Sequence, residues 1–218
     1  MKSGLALLVC GGALAVALAA FGQTTVSLGG SAPAIAAIDP ATIQDLPAAR
    51  DYHPPEGIAF QATDFISENV RLTAQWVYAA ENEGRKLPTV IMAPGWGGTA
   101  APLRQDAVDL ARAGYLVMLF DYRGWGDSDG RVMLTGQPPV AGERFTAQVR
   151  QLRGYIDPGE QVEDWFNAIN YAATDPRVDA GRIGVLGSDL AGGHVIYAAA
   201  QDPRVKALVS EVTSADTR

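Results

Sequence analysis

From residue 58 the chain settles into regular alternation. Ile58 to Ile66 and Val70 to Ala79 both alternate apolar with polar positions, the second placing Leu72, Ala74, Trp76 and Tyr78 on one face. A period of two marks strands with one face in a core, so two antiparallel strands are predicted, followed by a turn at Asn82-Glu83-Gly84. Thr89 to Ala93 and Tyr115 to Phe120 are instead continuous apolar runs, the pattern of strands covered on both faces of a parallel sheet. Between them, Pro102 to Ala113 has helical spacing and stops at Gly114. A second helix is predicted to start at Asp157. Asp as N-cap, Pro158 at the first helical position and Glu160 at the third satisfy N–H groups that the first turn leaves open. Val162, Trp165, Phe166 and Ile169 form its buried stripe.

A turn over Asp175 to Gly181 leads into a buried strand, Arg182 to Leu186, a helix, Leu190 to Ala200, and a last strand, Val205 to Val212. Strands alternating with helices imply an α/β fold with a doubly wound, mostly parallel sheet. Gly130 to Tyr155 shows no clear period and reads as a lid or entrance loop.

The first 57 residues read differently. Met1-Lys2 supplies a positive end, Leu5 to Phe21 is apolar, and small residues follow, so residues 1–22 are predicted to be a signal peptide, with a membrane anchor as the alternative. The expected location is periplasmic or secreted, or membrane-associated through that segment. Residues 23–55 form an Ala/Pro-rich tether in which His53 has a structural or solvent-exposed reading, and residues 56–218 form the folded domain. Cys10, the only cysteine, lies in the leader, which leaves the domain without a thiol nucleophile or an internal disulfide.

A chain of 218 residues supports one core. Its net charge of -7 argues against nucleic acid as a partner, because that affinity rests on Lys and Arg displacing counterions. Gly95-Trp96-Gly97-Gly98 lacks the Lys of a phosphate loop, and no metal-ligand cluster is visible, so neither a cofactor nor a metal is implied. The expected partner is a small-molecule substrate.

Candidate chemistry begins at Gly187-Ser188-Asp189-Leu190-Ala191-Gly192-Gly193, between a strand and a helix. A nucleophile elbow needs small residues two positions before and after its apex, because strand and helix come very close. Gly187 and Ala191 fit with Asp189 at the centre, whereas a Ser188 apex would put Leu186 and Leu190 in the small positions. Upstream, Ala93-Pro94-Gly95-Trp96-Gly97-Gly98 leaves a buried strand as a glycine-rich loop. Backbone N–H groups of Trp96 and Leu190 are therefore the candidate oxyanion-hole donors.

With Phe120-Asp121-Tyr122-Arg123-Gly124-Trp125-Gly126-Asp127-Ser128, Gln161 to Trp165 and Asp202 to Ala207, these blocks resemble the α/β-hydrolase superfamily, near its dienelactone-hydrolase-like and X-Pro-peptidase-like branches. The resemblance covers residues 58–212. It implies Ser-His-acid hydrolysis of a small ester, lactone, thioester or peptide-like substrate, with Asp189 at the serine position. Pro94 stands where that loop commonly has His. Asp121 and Arg123 are expected to organise their loop rather than to react.

An elbow aspartate is itself a nucleophile toward alkyl carbon, as in the superfamily's haloalkane dehalogenases and epoxide hydrolases. The alternatives are that Asp-nucleophile chemistry and a noncatalytic or fragmentary homologue. The resemblance places the acid and histidine on late loops, but only Leu190 to Arg218 follow the elbow, so the sheet is expected to be truncated after its sixth strand, with an exposed edge. His194 is read as capping or packing near the turn, and Asp216 lies too near the end to be assigned as the acid.

Overall fold

A computed structural model describes residues 6–9, 46–137 and 144–211. Met1, Lys2, Cys10, most of the tether and Asp216 lie outside the described residues. The strands are β1 (Ala6–Val9), β2 (Ile58–Ser67), β3 (Val70–Ala79), β4 (Leu87–Ala93), β5 (Leu116–Phe120), β6 (Val132–Leu134), β7 (Val149–Gln151), β8 (Val178–Ser188) and β9 (Val205–Glu211). The helices are α1 (Arg104–Arg112), α2 (Pro158–Thr174) and α3 (Leu190–Gln201).

The main sheet runs in the order β1-β9-β8-β4-β5-β3-β2. The β2–β3 and β3–β5 pairs are antiparallel and the other pairs parallel. The six domain strands agree with the predicted doubly wound class. The last edge is not open, however. Ala6–Val9, inside the stretch read as a leader, pairs in parallel with Ala207 to Ser210. Unpaired N–H and C=O groups along β9 form a template for any extended segment, and this one meets them.

Helices cover both faces, which accounts for the continuous apolar strands. Successive side chains of a strand point to opposite faces. Ile91, Met118 and Phe120 therefore join Trp165, Ile169, Ala191 and Val195 beneath α2 and α3. Val90, Met92, Val117 and Leu119 join Val108, Leu110 and Ala111 beneath α1. Burying one such side chain contributes roughly 1.5–3 kcal/mol.

Two boundaries differ from the sequence reading. β8 begins at Val178, inside the predicted turn, because Leu87 N–H donates to Arg177 C=O and Val178 registers with Leu87. The register then shifts before Thr89, across Pro88, which has no N–H to give the ladder. Arg177 is pinned there by two bonds to Asp175 and by stacking over Trp76 and Tyr78. Residues 130–155 also contain structure: β6 and β7 form an antiparallel arm whose residues are all exposed, so no core period marks it. Among the described residues, no helix is long and apolar enough to cross a membrane.

Candidate active site at the turn between β8 and α3

Asp189 stands at the apex of the turn, with φ 56° and ψ -119°. This is backbone that a side chain rarely adopts, held at a cost of order 1–3 kcal/mol where the surroundings enforce it. The surroundings are visible. Asp189 N–H donates to Glu211 C=O at 2.9 Å, tying the apex to the end of β9. A Cβ on Gly187 would overlap the backbone of Ala191, so strand and helix meet as closely as the sequence pattern requires. Ser188 closes β8 in register with Glu211, which leaves the apex to Asp189.

The loop after β4 comes to the same point. Trp96 N–H donates to Asp189 Oδ2 at 3.0 Å. Gly95 is needed for this approach, since a Cβ there would lie 3.1 Å from both Asp189 Cβ and Oδ2. Leu190 is the first residue of α3 and is buried, so its N–H is one of the first-turn donors that the helix leaves without an intrahelical acceptor. The structure thus places Trp96, Asp189 and Leu190 around one turn. It also adds that a side-chain oxygen of Asp189 itself engages the Trp96 donor.

The loop after β5 is fixed by a buried ion pair. Arg123 reaches Asp164 of α2 through Nε at 3.0 Å and Nη2 at 2.6 Å, and Asp164 also accepts from Ser67 Oγ at 2.6 Å. Burial pushes the Asp164 carboxyl up, and the Arg123 guanidinium and Ser67 hydroxyl oppose that shift. These contacts fix the start of the loop against α2 and β2. Trp125 packs over Gly97 and donates its indole N–H to Tyr155 C=O, carrying the support to the neighbourhood of the exposed Trp96.

Both histidines make their hydrogen bonds away from Asp189. His53 is exposed and its Nδ1 lies 3.0 Å from Asp51 O. His194 is buried in the first turns of α3, where it packs rather than caps: Nδ1 lies 2.9 Å from Tyr122 Oη, and Nε2 has no hydrogen-bond partner among the described residues. Burial lowers its pKa to about 4. No group of three His, Cys, Asp or Glu among the described residues is placed to hold a metal.

Comparison with known proteins identifies the family and the fold. Residues 68–218 match the model of the X-Pro dipeptidyl-peptidase (S15) family. An uncharacterized 31.7 kDa protein of the traX-finO intergenic region in Escherichia coli is 34% identical over 69% of this chain and 44% of its own length. The quorum-quenching protein AidA of Acinetobacter baumannii is 34% identical over 70% of this chain and 43% of its own. The chain therefore spans less than half the length of these relatives. The α/β hydrolase GrgF of Penicillium sp. sh18 superposes with a TM-score of 0.54 and 26% identity, covering 69% of this chain and 44% of that one. With its sheet, elbow and glycine loop in place, the chain belongs to the X-Pro dipeptidyl-peptidase (S15) family and has the α/β-hydrolase fold.

Proposed function

We propose that this protein is a hydrolase of a small organic substrate and that Asp189 is its nucleophile. One observation carries the reading: Asp189 Oδ2 lies 3.0 Å from the Trp96 N–H at the apex of the elbow. An ester, lactone, thioester or peptide-like substrate would need that donor for its own carbonyl oxygen, and a carboxylate oxygen beside it repels a developing oxyanion. Chemistry at a saturated carbon has no such conflict. Oδ1 attacks a carbon bearing a halide or an epoxide oxygen, the C–O bond forms as the carbon–leaving-group bond breaks, and an alkyl ester of Asp189 results. Water then adds to Cγ, the negative charge falls on Oδ2, and the donor already in place receives it. Collapse releases the alcohol and restores the carboxylate. One proton of that water passes to a base, which this reading assigns to the complete protein outside the described residues because His53 and His194 make their hydrogen bonds elsewhere, and the other passes from the re-formed carboxyl to the departing alkoxide. Family membership and the GrgF likeness support hydrolysis in general, and the apolar N-terminus behind Met1-Lys2 supports export, a reading in which removal of the leader takes Ala6–Val9 from β9.

The same bond favours a second reading, a noncatalytic relative whose donor is filled by its own side chain. A panel of haloalkanes, epoxides and esters separates the two when assayed with the complete protein and its Asp189→Ser variant. Alkyl turnover that is lost in the variant supports the nucleophile. No turnover by the wild type, with ester hydrolysis gained in the variant, supports a disabled acyl hydrolase.

A further inference from the structure

Asp121 and Tyr122 follow β5 as consecutive residues, so their side chains leave on opposite faces of the sheet. Asp121, on the α1 side, accepts the N–H of Ala100 at Oδ1 from 2.6 Å and the N–H of Asp127 at Oδ2 from 3.1 Å. Its backbone C=O accepts from Ser128 Oγ at 2.7 Å. Gly126 has no room for a side chain against this carboxylate. Ala100 ends the loop that carries Trp96. Tyr122, on the other face, sits between Trp165 Nε1, at 2.6 Å, and His194 Nδ1, at 2.9 Å. An indole nitrogen only donates, so the Tyr122 hydroxyl accepts from Trp165, and donating its own proton to His194 Nδ1 gives that proton an acceptor. In this arrangement the ring is neutral, consistent with a pKa that burial lowers to about 4, and carries its proton on Nε2. It lies in the helix that begins with Leu190.

We propose that Asp121 and Tyr122 are positioning residues that set the width of the oxyanion hole, Asp121 gripping the loop of Trp96 and Tyr122 gripping the first turns of α3 through His194. The proposal rests on the reading that this hole receives charge during turnover, but its geometry is testable without a substrate.

The two grips depend on opposite protonation chemistry. Asp121 holds two N–H donors best as a carboxylate. Burial raises its pKa to about 6, opposed by the two N–H groups and by Arg104 and assisted by the nearby charge of Asp127. The two N–H bonds lower its pKa against burial, so releasing the loop while Asp121 stays buried raises it further, and protonation as pH falls through about 6 favours that release even though it opposes global unfolding, which exposes the carboxyl. The second grip needs a bare Nδ1. Burial alone keeps the ring neutral down to about pH 4, below which Tyr122 Oη faces two donors and its own proton has no acceptor. The loop therefore loosens first and the helix turn later.

Amide hydrogen exchange of the full chain, corrected for intrinsic rates and followed across both values, tests this. Residues 94–101 are expected to gain exchange by about tenfold as pH falls through the first transition, the scale of one lost charge-assisted hydrogen bond. Residues 190–195 change only near the second, and β3 stays protected as the internal control. Asp121→Asn abolishes the first transition and leaves the second, whereas Tyr122→Phe raises exchange in 190–195 at every pH and leaves 94–101 unaltered. The proposal is overturned if wild-type 94–101 shows no transition, if β3 moves together with it, or if Asp121→Asn keeps it. Should that variant not fold, the wild-type titration decides alone. None of these readouts involves turnover, so they stand apart from the fate of the nucleophile.

Discussion

The backbone N–H of Trp96 lies 3.0 Å from Oδ2 of Asp189, across 93 residues of sequence, in a turn whose apex carries a positive φ. The side chain that defines the site is thus also the one that strains it. On the proposed reading, function and stability are set against each other at this residue.

Replacing Asp189 with glycine measures that opposition. Glycine populates positive φ freely, and this relief exceeds the entropy it adds to the unfolded chain. Asp189→Gly is expected to be more stable than wild type by about 1 kcal/mol in urea or thermal denaturation, while losing whatever turnover Asp189 supports. An equal or lower stability would mean that the strain is not real.

The neighbouring glycine has the reverse character. Because a Cβ on Gly187 would run into the backbone of Ala191, Gly187→Ala must push β8 and α3 apart. A loss of about 2 kcal/mol or more is expected, on the scale of overpacking a dense interior. Circular dichroism melts would show it as a lower midpoint with the secondary structure retained.

Two buried groups have opposing effects on pH dependence. Asp121 is raised from 3.8 to about 6, so the native state binds more protons than the unfolded chain between those values, and stability falls as pH rises. His194 is lowered from 6.5 to about 4, so the native state binds fewer protons there, and stability rises with pH. Each contribution is on the order of 3 kcal/mol, so the two nearly cancel in the wild type. Asp121→Asn should therefore become more stable from pH 4 to 6.5, and His194→Gln less stable, when unfolding free energy is measured across that window. Parallel curves for both variants would exclude this assignment.

Asp164→Ala leaves the Arg123 guanidinium, which is 6% exposed, without its main partner. Removing one member of a buried pair typically costs about 3–5 kcal/mol. The double variant Arg123→Met with Asp164→Leu should recover a large part of that loss, as read from chemical denaturation midpoints.

The sequence made the sheet and the elbow legible because both rest on local rules. Alternation marked β2 and β3, and the small residues at 187 and 191 alone selected Asp189 over Ser188 as the apex. The beginning of β8 was hidden because it depends on Arg177 stacking over Trp76 and Tyr78, a contact across the fold. The arm of β6 and β7 was hidden because neither strand buries a face and so neither carries a period. Tyr122 gave no signal either. Its partners lie 43 and 72 residues away, and an aromatic residue at the end of an apolar strand looks like any other core residue.

That arm has a consequence for how the chain is cut. Every residue of its two strands is exposed, yet its base is fastened by Leu152 N–H on Arg131 C=O, by Arg153 on the carbonyls of Gly126 and Ser128, and by the Arg131–Glu160 ion pair. A protease meeting the folded protein has an accessible hairpin before it and a packed sheet behind it. Cleavage within the exposed residues 131–137 or 144–151 is expected to yield two pieces that remain associated, so the arm is the natural point at which this domain can be nicked, or a foreign segment spliced in, without disturbing the turn that holds Asp189.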